Sequence, residues 1–168
     1  MMIEIRKEMA SDTAAIEAVT VAAFQDAAHA SHTEQSIIRA LRNSGQLAVS
    51  LVAEDDGEVV GHVAVSPVAI SDGTRGWHGL GPISVVPERQ GQGVGTLLMD
   101  HALAELRAMD AAGCVVLGEP GYYARFGFKT EPALVLPGVP AGYFQAISFH
   151  GSSPSGQVKY HDSFEATA

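Results

Sequence analysis

Gly81-Pro82-Ile83-Ser84-Val85-Val86-Pro87-Glu88-Arg89-Gln90-Gly91-Gln92-Gly93-Val94-Gly95-Thr96-Leu97-Leu98 is the stretch whose reading decides the fold. Its apolar first part reads as a strand, and Pro87 ends that strand because proline has no N–H to give a ladder. Gly91, Gly93 and Gly95 follow at alternate positions. Lacking Cβ, they let successive backbone N–H groups converge on one anion. Val94, Leu98, Ala102 and Leu106 then form an apolar stripe at helical spacing, which predicts a long helix over roughly 93–110 that stops at Gly113. The helix start adds partial positive charge at the same place. Gln90, Gly91, Gln92, Gly93, Val94, Gly95 and Thr96 are therefore candidates to hold a diphosphate, and Arg89 offers extra charge.

Three phosphate-binding patterns compete for this turn. A P-loop requires Lys before Ser or Thr, and Val94-Gly95-Thr96 supplies none. A dinucleotide fingerprint, Gly-x-Gly-x-x-Gly, fails where Thr96 stands in place of its last glycine. The acetyl-CoA pattern, Arg/Gln-x-x-Gly-x-Gly/Ala, is met by Gln90, Gly93 and Gly95.

Outward from this turn, Ile3 and Ile5 suggest a first strand, and Ser11-Asp12 offers an N-cap for a helix carrying Ile16, Val19 and Ala23. A second helix is expected from Ser31 to Thr33, with Gly45 as its stop. Residues 47–53 and 58–70 read as strands joined at Glu54-Asp55-Asp56-Gly57, an Asp-Gly hairpin turn. After the long helix come a buried strand at Cys114 to Leu117, a helical turn at Tyr122 to Phe126, and a strand from Phe128. Pro132, Pro137 and Pro140 predict loop, and late strands are expected at 143–150 and 157–160. This order gives a mixed α/β fold with helices on both faces of one sheet, in a single domain over 1–168.

Composition narrows the function. Nineteen acidic against ten basic residues give a net charge of −9, which disfavours a nucleic-acid partner and suits a cationic amine. No apolar run approaches a membrane span, and the N-terminus lacks a signal-peptide layout, so a cytoplasmic protein without a membrane partner is expected. Cys114, the one cysteine, sits in an apolar run and reads as a buried small hydrophobe. His29 and His32 are three apart but lack further ligands at metal spacing, so no metal is expected.

Gly121-Tyr122-Tyr123-Ala124-Arg125-Phe126-Gly127-Phe128 adds a second motif. Here the chain resembles the GNAT superfamily of N-acetyltransferases, which pair the diphosphate turn with a Tyr four residues before Gly-Phe. Residues 51–63, Leu80-Gly81-Pro82, 116–120 and Val158-Lys159-Tyr160-His161 extend the resemblance to the YhbS-like branch, over nearly the whole chain. One departure is the connection Gly118-Glu119-Pro120-Gly121, which lacks the Asn that many members use on the cofactor.

The resemblance implies a mostly antiparallel sheet splayed at the strand of Ile83, Ser84 and Val85, whose backbone would hold the pantetheine arm and polarise the thioester. It implies acetyl-CoA as cosubstrate, no metal, a small-molecule or peptide amine as acceptor by direct attack, and Tyr123 as general acid to the departing thiolate. Similar enzymes often form homodimers, and the oligomeric state stays open. Tyr122 reads as packing or as a wall of the cofactor site, and Trp77 as packing or a wall of the acceptor pocket. Glu34, His62, His78, Glu119 and His150 are possible bases, and none is chosen. The alternatives are a non-catalytic acyl-CoA sensor and, less favoured by the charge, a toxin acting on aminoacyl-tRNA.

Overall fold

The computed structural model describes residues 2–27, 30–151 and 153–167. The elements run β1 (Ile3–Lys7), α1 (Thr13–Phe24), α2 (Glu34–Asn43), β2 (Val49–Asp55), β3 (Glu58–Ile70), β4 (Trp77–Val85), α3 (Val94–Ala108) and β5 (Gly113–Leu117). They continue with α4 (Pro120–Tyr123), β6 (Lys129–Thr130), β7 (Leu134–Val135), β8 (Phe144–Ser148) and β9 (Gly156–Tyr160). The sheet order is β1-β2-β3-β4-β5-β8-β6, with β9 joining the far end of β3 and β7 joining β9. Pairing is antiparallel except at β4–β5 and β7–β9.

The β2–β3 hairpin forms where expected. Asp56 and Gly57 both take positive φ, 51° and 83°, the conformation that matches the twist of the flanking strands. β3 is buried on both faces: Val63 and Val65 pack with Leu98, Met99 and Ala102 of α3, while Ala64 packs with Ile16 of α1 and Ile38 of α2. The predicted stripe of α3 is buried throughout, widened by Met99 and Leu103. Gly61 lets the helix approach, since a Cβ there would lie 3.0 Å from Leu98 Cδ1.

Two local expectations are corrected. Asp12 does not cap α1; its carboxylate accepts from the Met9 N–H at 2.6 Å and from Arg6 at 2.8 and 3.1 Å. A charged partner draws that side chain away from the helix end. The proline-bounded segment expected as loop contains β7, because Leu134 buries itself beside Val158 and draws its backbone into pairing with β9.

Trp77 is buried among Ile70, Val115, Leu134, Phe144 and Val158. Its indole lies across Gly113, its register partner on β5, where a Cβ would fall 2.4 Å from two ring carbons. Gly113→Ala should therefore destabilise the protein by about 1–3 kcal/mol, read as a lower urea midpoint followed by fluorescence of this unique tryptophan.

Candidate active site

β4 bonds β5 only along Trp77–Gly79. Beyond Gly79 it follows β3 alone, while Val116 and Leu117 of β5 pair with β8. The two strands diverge into a wedge. A bulge sits at its root, where Gly81 and Pro82 together oppose Ala64 between the Val65–Leu80 and Val63–Ile83 pairs. The Val86 N–H donates to the Val60 carbonyl at 3.0 Å and fixes the phase of the β3–β4 ladder. Antiparallel pairs alternate between exchanging hydrogen bonds and not. His62 and Ser84 therefore exchange them, and the peptide groups of Ile83 and Val85 turn toward the wedge. The Gln90 side-chain amide donates to the Val85 carbonyl at 2.9 Å, closing the outer end.

The glycine turn lies at the mouth of this wedge. Gly91 has φ 76°, and Gly93, the residue before α3, has φ 88°. Space around both is open, so backbone conformation is what demands glycine there. Gly95 is different: a Cβ would stand 2.9 Å from the Tyr122 hydroxyl, which reaches across the first turn of α3. The N–H groups of that turn have no partner within the helix. Arg89, expected to add charge, is tied to Asp55 at 2.5 Å, and that ion pair holds the Asp55 carboxyl below its usual range.

Tyr123 stands on the opposite wall. Its ring lies against Gly118 at the end of β5, where a Cβ would come within 2.6 Å of Cε2. Tyr122 and Phe128 meet it edge-on, with centroids 5.0 and 6.1 Å away. Burial, helped by Tyr122, pushes its phenol up to about 12. The structure thus gathers Ile83, Val85, the 90–96 turn and Tyr123 around one wedge. Ser84 points elsewhere: it pairs with His62, whose other partner Val52 belongs to the layer under α1 and α2.

Comparison with known proteins identifies the family. Residues 46–130 match the family model described as "Acetyltransferase (GNAT) domain". The uncharacterized N-acetyltransferase YhbS of Escherichia coli K12 is 33% identical over 167 residues, covering 95% of this chain and 97% of that protein. The chain belongs to the GNAT acetyltransferases. A GNAT family acetyltransferase from Brucella melitensis, crystallised with acetyl-CoA, is 47% identical with a TM-score of 0.87, covering 97% of this chain and 98% of that one. Escherichia coli YhbS in complex with CoA gives 32% and 0.89, covering 99% and 93%.

This GNAT acetyltransferase disperses the remaining sequence candidates. Glu34 Oε2 accepts from the N–H and hydroxyl of Ser31 at 2.9 and 3.0 Å, bracing the entry to α2. Glu119 is exposed and gives its backbone carbonyl to the start of α4. His150 is exposed beside Asp110. His78 is half-buried with its imidazole pKa lowered by burial. Cys114 is fully buried, which pushes its thiol far above the usual range. His29 lies outside the described residues; among those described, no three His, Cys, Asp or Glu are placed to hold a metal ion. Among them, too, no helix is long and apolar enough to cross a membrane.

His62 is the most constrained of these groups. Ser50 donates to Glu8, which also binds Arg42 through two bonds of 2.9 Å. A carboxylate only accepts, so the Ser50 oxygen takes its own bond, 2.8 Å, from the His62 Nε2–H. Among the described residues His62 Nδ1 is then a bare acceptor, buried without a partner, as is Ser84 Oγ across the ladder. Burial lowers the imidazole to about 4 against the opposing pull of Glu8, while Arg42 adds to the lowering. Burial pushes the Glu8 carboxyl up, but its bonds to Arg42 and Ser50 outweigh that and hold it low.

Tyr122, read as packing or a wall of the cofactor site, lies on Gly95, and the residue that the sequence reading left outside the site is Arg125, which stands beside Thr96. Its position two residues after Tyr123 was the available signal. The buried imidazole generates a pH prediction. As pH falls from about 6.5 to 4, the unfolded chain takes up a proton that folded His62 refuses, so stability is lost across that window by up to about 3 kcal/mol. Urea unfolding at stepped pH should show this loss. His62→Gln, which can still donate to Ser50, should flatten the slope over the same interval.

Proposed function

We propose that the chain transfers the acetyl group of acetyl-CoA to a primary amine by direct attack. The observation that carries this reading is the divergence of β4 from β5 between the glycine turn and Tyr123. The N–H groups of residues 91–96 would hold the diphosphate, where helix-start charge offsets the acidity of the protein. The pantetheine arm would lie along the peptide groups of Ile83 and Val85, with Ser84 between them spacing the two while its own N–H and carbonyl stay bonded to His62. An amide there donates to the thioester oxygen as negative charge develops on it, a contribution worth a few kcal/mol in related settings.

The amine nitrogen attacks the thioester carbon. A C–N bond forms, the C–S bond breaks, and the sulfur leaves with the electron pair. Tyr123 faces that sulfur. With its pKa near 12 the phenol is protonated at every working pH, so the donor is always loaded. A thiol near ~8.5 is the stronger acid, so full transfer runs uphill and hydrogen-bond donation to the forming thiolate is the role supported best. The proton leaving nitrogen passes to water; an imidazole lowered to about 4 makes His62 a weak base for it. A small-molecule or peptide amine fits the net charge of −9.

Two substitutions separate binding from chemistry. Gly93→Val places a branched side chain at φ 88° over the cradle and should weaken acetyl-CoA binding at least tenfold by calorimetry, with a stability loss held to about 2 kcal/mol. An unchanged Kd in the folded variant removes the diphosphate from this turn. Tyr123→Phe should leave acetyl-CoA affinity intact and lower kcat about a hundredfold, followed as free thiol released with amines found by screening. Full turnover without the hydroxyl eliminates its role, while tight binding with no turnover on any amine returns the acyl-CoA sensor.

A further inference from the structure

Any ligand carrying several phosphate charges meets an unfavourable field in a protein of net charge −9. The start of α3 supplies only partial charge. The cations of the chain are mostly committed elsewhere: Arg6 to Asp12, Lys7 to Glu105, Arg39 to Glu17, Arg42 to Glu8, Arg89 to Asp55 and Lys159 to Asp162. Arg107 lies over Phe149, beside the last turn of α3.

Arg125 is placed otherwise. It is exposed and, among the described residues, has no carboxylate partner. Its guanidinium stacks on the Tyr122 ring at 4.6 Å and approaches Phe126 at 5.3 Å. Nε donates to the Tyr122 carbonyl at 3.3 Å, and Nη2 reaches Thr96 Oγ1 at 3.4 Å. The stack and the Nε bond fix the plane of the fork, the Thr96 contact is long, and most N–H donors stay uncommitted. Thr96 lies in the first turn of α3, one residue beyond the Gly95 that Tyr122 covers. Tyr122 and Arg125 together arch over the helix start.

We infer that Arg125 is a phosphate ligand of the cosubstrate, held ready by Tyr122 and bonding the phosphate oxygens beside Thr96. The inference rests on the cofactor reading above and deepens it. A planar guanidinium matches phosphate geometry and gains strength from charge on both partners. Its stack on Tyr122 restricts the side chain before the ligand arrives, which lowers the ordering cost of binding. The selection it imposes is for acyl donors carrying the nucleotide phosphates over those ending at pantetheine.

Calorimetric titration of the full chain with CoA and with dephospho-CoA tests it, using the wild type, Arg125→Gln and Arg125→Lys. Because Arg125 is exposed, the variants should keep the thermal midpoint. Arg125→Gln should weaken CoA about tenfold to a hundredfold and reduce the salt dependence of binding, with Arg125→Lys recovering part of the loss. An equal loss for both ligands assigns the diphosphate, and a loss confined to CoA assigns the 3′-phosphate; either supports the inference. Wild-type affinity in Arg125→Gln overturns it while leaving the cofactor reading in place. A wild type that binds neither ligand overturns both.

Discussion

A strand that leaves one of its two neighbours exposes peptide groups that must find other partners. In this chain β4 leaves β5 after Gly79, and the rest of the site follows from that single loss of pairing. The bulge at Gly81 and Pro82 sits where the strand leaves β5, and the ladder phase turns the Ile83 and Val85 peptides into the gap. Gln90 returns to meet one exposed carbonyl, which ties the glycine turn to the strand end. The other wall depends on Gly118, whose missing side chain lets the Tyr123 ring lie against β5. Peptide geometry thus creates the opening, and glycines decide how closely aromatic rings can border it.

Behind β3 the electrostatics are of another kind. Arg42 holds Glu8 ionised, Glu8 takes the Ser50 proton, and Ser50 in turn takes the His62 Nε2–H. The tautomer of a fully buried imidazole is fixed by a carboxylate it does not directly bond. The chain of bonds anchors β1, β2, β3 and α2 to one another at the level of the wedge. Among the described residues, one imidazole nitrogen and the Ser84 hydroxyl are left as unpartnered polar points on the sheet face next to it. Buried groups in that state make the layer sensitive to acid.

Much of this was legible in the sequence, for reasons that differ by element. The cradle and α3 were readable because glycine spacing and a helical stripe are local signals, and the hairpin at Asp56-Gly57 because its turn demands positive φ. Family resemblance, not periodicity, supplied the splay and the proposal for Tyr123. The misreadings share one cause. Asp12 was assigned as a cap and Arg89 as free charge. In each case an ion-pair partner that periodicity does not reveal, respectively Arg6 and Asp55, decides where the side chain goes. β7 escaped because it is two residues long and its pairing partner, β9, lies about twenty residues further along the chain.

Tyr160 closes the account from the opposite end of the chain. Its ring covers Gly79, so closely that a Cβ there would stand 2.2 Å from Cε1, at the last point where β4 still pairs with β5. The strand carrying it is held by Val68, Ala69 and Ile70 of β3. The fork of the sheet is therefore sealed by a residue that leaves the ribosome long after both strands it guards. The residues of the glycine turn and Tyr123 all lie within the chain up to the end of α4, so the cover over the fork is supplied by sequence well beyond the site it borders.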